Sequence, residues 1–385
     1  MQQFRVSNVN IAVNGQSVKG SVTVKDGVIA SVDAGEAAES GLPVIDGHGG
    51  WLLPGFIDVH VHGGYGADFM DASREAYDTI TKFHAEHGTT TMLATTMTES
   101  QERIRQALAA ADDYRQSPMP HARLGGVHLE GPFISPDWMG AQNPEFRADP
   151  QLDWLKQWHA DHPGLIKQLT LAPEREGALE MIAWLAEQGI AVAAGHTDAK
   201  YDVMEAAADA GLNSAVHTFN ACRGLHHREP GTVGAVLTDD RIHAEVIADG
   251  HHVHDAIMRL LGRVKPDGKL LLITDAMSAA GLQDGQYELG GQAVTMKDGV
   301  CRLTVGGNLA GSTLTMENAL KRFIAATGWT VPQASVLASA NPAALIGLGD
   351  QTGSIAAGKW ADLVLLTEEL EVQRTWVGGL SVFEA

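Results

Sequence analysis

The chain has 385 residues, 44% hydrophobic and 19% charged, with 43 glycines, which fits a turn-rich globular protein and excludes a disordered or fibrous one. Its formal net charge of -20 argues against nucleic acid or an anionic membrane as a partner, and an anionic small substrate would need a local cationic pocket. Two cysteines without framework spacing, Cys222 and Cys301, fit a reducing compartment and no structural disulfide.

Met1 to Asn10 shows no basic start followed by an apolar core, and no apolar run approaches the ~20 residues of a membrane span, so the cytoplasm is the expected location. From Phe4 to Ile45 short alternating strands are broken by turn signals. Asn14-Gly15 and Asp26-Gly27 are hairpin candidates flanked by Ser21–Val24 and Val28–Ala30. The far end reads the same way, with Ala361–Leu366, Thr375–Val377 and a Gly378-Gly379 turn. Neither end has much core of its own, so residues 1–54 and 350–385 are expected to form one small β-sandwich domain together.

The middle, residues 55–349, alternates strand and helix patterns. Strands are predicted at Gly55–Val61, Thr89–Thr95, Leu124–Glu130, Lys167–Ala172, Ile190–His196, Asn213–Thr218, Ile242–Ala248 and Leu270–Asp275. Amphipathic stretches such as Ser73–His87, Gln101–Arg115, Gly177–Gln188 and Tyr201–Ala210 lie between them. This alternation points to an α/β fold, a parallel (β/α)8 barrel.

Ionisable residues gather at the C-terminal ends of these strands, where barrel enzymes build their sites. They are His60 and His62 on the first, Glu130 on the third, His196 on the fifth, His217 on the sixth and Asp275 on the eighth. Alternate strand positions face one way, so His60 and His62 can address one point. Imidazoles with a carboxylate suit Zn²⁺ or Fe²⁺. A single buried histidine is more often a hydrogen-bonded core residue than a ligand. The joint pattern in barrel order outweighs that reading.

The ordered set of motifs identifies a family. Pro54–His62 resembles the opening motif of the amidohydrolase superfamily. With Leu129–Phe133, Gly195–Asp198, His217–Ala221, Arg228–Gly231, Asp249–Val253, Thr274–Ala276 and Leu309–Ser312, the chain resembles its N-acetylglucosamine-6-phosphate deacetylase branch over nearly its whole length. The resemblance implies metal ligands at Glu130, His196 and His217, with a second divalent ion at His60 and His62 bridged by Glu130. It implies Asp275 as the carboxylate that exchanges protons with water and the leaving amine, and His252 as the group polarising the substrate carbonyl. Asn220, the Ala221 backbone and Arg228 correspond to phosphate and sugar contacts, Arg228 being supplied by the neighbouring subunit of a homodimer. Leu309, Ala310 and Gly311 correspond to a loop closing over the substrate. In the Met139–Pro144 segment, Ala141 and Gln142 stand where relatives contact the sugar, and Gln142 replaces a histidine of some members. The implied substrate is a phosphosugar.

Many binuclear amidohydrolases bridge their metals with a lysine at the end of strand four. Here that strand ends Leu171-Ala172-Pro173-Glu174 and its lysine, Lys167, lies at the other end, so Glu130 is the better bridge. Arg223, His226 and His227 beside Arg228 give local positive potential. Asp198 is read either as a partner orienting an imidazole or, in preference, as a cap for the helix starting near Ala199, and His251, His254, His84 and His87 as non-catalytic, with one of His251 and His254 supporting a helix start or lying exposed. The rival readings are a deacetylase of N-acetylgalactosamine 6-phosphate, a cyclic amidase, which the missing lysine disfavours, and a non-catalytic barrel scaffold.

Overall fold

A computed structural model describes residues 3–13, 15–35, 41–265 and 268–385. Met1 and Asn14, named above, lie outside them. Eight parallel strands form the central sheet: β1 (Phe56–Val61), β2 (Thr89–Thr96), β3 (Arg123–Glu130), β4 (Ile166–Leu171), β5 (Ala191–Ala194), β6 (Ser214–Ala215), β7 (His243–Ile247) and β8 (Leu270–Ile273). Each pairs with the next in sequence order. β1 and β8 meet through Asp275 N–H donating to His60 O at 2.9 Å and His62 N–H donating to Ala276 O at 2.9 Å. The strands read as apolar runs because both faces are covered, one by helices and one by the barrel interior.

A helix follows each strand: Arg74–Glu86, Gln101–Arg115, Leu152–Asp161, Ala178–Glu187, Tyr201–Ala210, Gly231–Thr238, Asp255–Val264 and Met316–Thr327. The expected (β/α)8 barrel is the observed fold. Ser73 and Ser100 cap the first two helices by accepting from the N–H groups of Ala76 and Arg103, as serine before an amphipathic run allows.

Strands from both ends of the chain form a second eight-stranded sheet. Trp51–Pro54 and Leu363–Leu366 pair antiparallel and join its N-terminal and C-terminal halves. Gln3–Val13 and Val372–Val377 are separated by these two strands in hydrogen-bonding order. A flat sheet would hold them roughly 14 Å apart at about 4.8 Å per step. Yet the rings of Phe4 and Trp376 stack at 5.6 Å, so the sheet curls over on itself around Val6, Ile11, Val22, Val24 and Leu363. This is the sandwich expected from the two β-rich ends. It is tied to the barrel by Arg123 on β3, which stacks over Trp360 and pairs with the buried carboxylate of Asp362 at 2.8 Å.

The largest element that the sequence does not announce lies at the barrel mouth. Between β8 and its helix an antiparallel three-stranded sheet is inserted, Gly285–Leu289, Gln292–Lys297 and Val300–Leu303. Its Leu289, Val294, Met296 and Cys301 pack on Met97 and Met277 at the barrel mouth. Gln292 Nε2 donates to Ala141 O, joining this insert to the long segment after β3.

Candidate active site

The residues singled out at the strand ends converge. Glu130, the last residue of β3, is the hub, almost fully buried. Its Oε1 lies 3.1 Å from His196 Nε2, 3.1 Å from His217 Nε2 and 3.3 Å from His60 Nε2. Its Oε2 lies 3.3 Å from His62 Nε2. Asp275 Oδ1 faces the same two β1 histidines, at 3.5 Å from His60 and 3.2 Å from His62. Asp58, one alternation further back on β1, hydrogen-bonds Thr274 and stitches β1 to β8.

The tautomers follow from the outer ring edges. His196 Nδ1 is 3.0 Å from Trp138 O, and His217 Nδ1 is 3.2 Å from Asn220 O. A carbonyl only accepts, so in each ring Nδ1 carries the proton. His60 Nδ1 is likewise 3.2 Å from a Glu245 carboxylate oxygen. In the neutral rings three Nε2 lone pairs therefore point at one carboxylate oxygen, an arrangement that repels unless a positive charge sits among them. His60 Nε2 is in fact buried without a hydrogen-bond partner. Two residue groups offer ligand atoms within 4.8 Å of one another, His60/Glu130/His217 and His60/His62/Asp275. This donor set of imidazoles and carboxylates fits a divalent cation, with Nδ1 partners of the kind that orient metal-binding histidines.

The same field acts on protons. Burial would lower the His60 and His62 pKa values, but the Glu130 and Asp275 carboxylates outweigh it, holding His60 well above the ordinary 6.5 and His62 at about 10. Burial likewise opposes ionisation of Glu130 and Asp275. The positive histidines prevail, keeping Glu130 well below the usual carboxylate range and Asp275 down at about 2.

Except for the fully buried His60, these groups floor a cavity of about 510 Å³. Ala141, Gln142, Asn220, Ala221, His252, Leu309 and Gly311 line its walls with His62, Glu130, His196, His217 and Asp275. Asn220 Nδ2 is buried there without a partner. Gln142 is tied down: its Nε2 donates to Glu130 Oε2 and its Oε1 accepts from Thr98 N–H, both at 2.7 Å. Ala310 does not reach the cavity and is buried in the cluster under the insert. Arg228 is exposed, beside His227, and does not line it within this single chain.

The backbone turns that aim these side chains are strained. His196, His217 and Asp275 lie just past β5, β6 and β8 with φ of 48°, 29° and 50°, and Phe219 and Ala221 have φ of 83° and 46°. Non-glycine residues in this region cost of order 1–3 kcal/mol each and persist only where surrounding structure enforces them.

Comparison with known proteins identifies the family. The profile of the Amidohydrolase family matches residues 51–382. The chain belongs to the amidohydrolase family. It is 39% identical to the N-acetylglucosamine-6-phosphate deacetylase of Bacillus subtilis, over 99% of this chain and 98% of that protein. It is 40% identical to the N-acetylgalactosamine-6-phosphate deacetylase of Escherichia coli, over 92% and 93%. Among solved structures, a variant of the Mycobacterium smegmatis N-acetyl-D-glucosamine-6-phosphate deacetylase in complex with N-acetyl-D-glucosamine-6-phosphate superposes with a TM-score of 0.94, at 32% identity over 99% of this chain and all of that one.

In this amidohydrolase Lys167 stands at the N-terminal end of β4, away from the cavity lining, as read from the sequence. His254 supports a helix start, its Nδ1 accepting from Ala256 N–H. His84 and His87 bond to Gly63 O and Glu317. The reading of Asp198 as a cap is corrected. The helix starts at Tyr201, so Asp198 precedes its first turn, and its carboxylate instead accepts from Trp138 Nε1 at 2.6 Å and Arg223 Nη2 at 2.5 Å. It thereby fixes Trp138, whose carbonyl orients His196, and it neutralises Arg223 as a source of positive potential. Asp249, which the sequence shows only as the start of a motif, has a role of its own. Its Oδ2 accepts from His252 Nδ1 at 2.7 Å and its Oδ1 accepts from the His251 and His252 N–H groups. An aspartate three residues before the histidine was the available signal.

Proposed function

We propose that this amidohydrolase removes the acetyl group of N-acetyl-D-glucosamine 6-phosphate, giving D-glucosamine 6-phosphate and acetate in amino-sugar catabolism. The observation that carries this reading is the convergence of His60, His196 and His217 on one oxygen of Glu130, with Asp275 opposite, at the floor of a cavity. The likeness to deacetylases of phosphorylated N-acetyl sugars supplies the substrate class.

Glu130, His196 and His217 would hold one divalent cation, Zn²⁺ or Fe²⁺, and His60, His62 and Asp275 a second. Such a cation acidifies water and polarises a carbonyl near neutral pH. Asp275, held ionised, accepts a proton from the attacking water and returns it to the departing nitrogen, so the amide C–N bond breaks and the amine leaves neutral. His252, fixed through Nδ1 by Asp249, presents its Nε2 edge to the acetamide oxygen. The unpartnered Asn220 Nδ2 and the Ala221 main chain suit the phosphate and sugar hydroxyls, with Gln142, Leu309 and Gly311 bounding the sugar. Arg228, whose planar fork suits phosphate, serves the site of a second copy in a cytoplasmic homodimer.

The galacto epimer is the second reading, favoured by the Escherichia coli relative. The test is acetate release from N-acetylglucosamine 6-phosphate, its galacto epimer and the unphosphorylated sugar. Rapid release from the first is expected, lowered about 10²–10⁴-fold in kcat by Asp275→Asn. Preference for the epimer would move the substrate and keep the chemistry. No release from any of the three by Zn²⁺-loaded protein would end the sugar assignment.

A further inference from the structure

Below the proposed reaction centre, the barrel carries a carboxylate that the chemistry above does not use. Glu245 lies in the middle of β7 and is fully buried. Side chains alternate along a strand, and Ile247 on the same face lines the cavity. Glu245 is therefore one layer deeper on the barrel axis. Such layers are ordinarily filled by branched aliphatic residues. Here the layer holds Glu245, Gln168 and His128 around the His60 ring, with His60 and His128 centroids 4.7 Å apart.

Among the described residues the Glu245 side chain has two hydrogen-bond partners. Gln168 Nε2 donates to Oε1 at 2.8 Å, and His60 Nδ1 lies 3.2 Å from Oε2. A carboxylate this deep is costly unless positive charge offsets it. Gln168 is neutral, which leaves His60 as the path to positive charge. The pairing commits the His60 proton to Nδ1 and turns the Nε2 lone pair toward Glu130 Oε1 and Asp275 Oδ1.

We propose that Glu245 is a positioning residue that fixes the tautomer and orientation of His60, strengthens it as a ligand, and thereby decides whether a second cation is retained with His62 and Asp275. This rests on the reading of His60 as a cation ligand. An acidic residue in the centre of an apolar barrel strand was the sequence sign of it.

Glu245→Gln removes the charge and keeps the shape. Gln168 Oε1 is buried without a partner, so a turn of the Gln168 amide would accept a hydrogen bond from a glutamine at 245. Zn²⁺ would be titrated into chelator-stripped, full-length protein against a chromophoric chelator, for wild type, E245Q, His60→Asn and the double variant. E245Q is expected to weaken one Zn²⁺ by about 10–100-fold and leave the other unchanged. In the His60→Asn background it should add nothing, since coupled residues are not additive. Wild-type binding of both ions by folded E245Q, or an equal loss with and without His60, would overturn the proposal. If His60→Asn itself retains both ions, the ligand reading fails first and takes the proposal with it. Should E245Q not fold, Glu245→Asp withdraws the carboxylate by one methylene and is expected to loosen the same ion. Folded E245D with two ions bound as in wild type would equally overturn it.

Discussion

The terminal sheet and the barrel mouth both depend on left-handed backbone, for opposite reasons. In the sheet, Asp26 and Gly27 have φ of 53° and 82° between strands paired at Lys25 and Val28. Gly378 and Gly379, at 53° and 74°, do the same between Val377 and Leu380. These are two-residue turns with positive φ at both positions, and the residues are those the turn prefers. At the mouth the same region is occupied by His196, His217, Phe219, Ala221 and Asp275, where Phe219 and Ala221 disfavour it and the others, though more tolerant than most, form no hairpin turn. They are held by bonds from elsewhere in the chain. Ser135 N–H donates to His196 O at 2.8 Å, Thr197 N–H to Ala221 O at 3.2 Å and Ser312 N–H to Asp275 O at 2.7 Å. A turn that follows its residues is cheap and local. One imposed by the surrounding structure stores strain and aims the side chains at one point.

The largest expected effect on stability comes from separating the two regions. Arg123→Ala would strand the buried Asp362 carboxylate, which keeps the Thr352 hydroxyl and the Gly378 N–H as donors but loses its cation. Breaking a buried pair in this way costs about 3 kcal/mol, readable by chemical denaturation.

A pH series isolates the mouth. In chelator-stripped protein the His62 pKa is about 10, raised from 6.5 because Asp275 and Glu130 outweigh burial. A group raised on folding contributes its full stability below pH 6.5 and loses it as pH climbs through about 10. The melting temperature should fall across that window and stay level when Zn²⁺ takes the proton's place. A flat curve for the stripped protein would remove the case that this cluster needs positive charge.

The smaller effects test the turns directly. Gly27→Ala is expected to cost about 1–2 kcal/mol, because it forces an L side chain into left-handed backbone and brings a Cβ 3.0 Å from Gly378 O. Ala221→Gly should raise the melting temperature slightly, since relief of strain exceeds the ~0.5–1 kcal/mol entropic cost of glycine. If Ala221→Gly destabilises instead, the mouth is less strained than its φ values suggest.

The eight barrel strands were legible in the sequence because both of their faces are buried and turn signals bound them. Most of the cluster was legible too, since a parallel barrel delivers the ends of its strands to one rim. Glu245, Gln168, Asp249 and Trp138, which pin the histidines, were not read from the chain. Gln168 and Glu245 are 77 residues apart yet hydrogen-bonded, and their meeting depends on barrel closure. The error at Asp198 has the same origin: a carboxylate near a helix start is locally a cap, and the distant Trp138 and Arg223 claimed it first.

By itself, then, the sequence determined the alternation of strands and helices, the hairpin turns of the termini and the identity of the groups at the strand ends, because periodicity and residue chemistry are local. The tertiary structure decided which ring nitrogen of His60, His196 and His217 carries its proton, which glutamine is locked to Glu130, and how an inserted sheet walls the cavity. Those outcomes depend on distances between strands far apart in the chain, set only when the barrel closes and buries its polar interior.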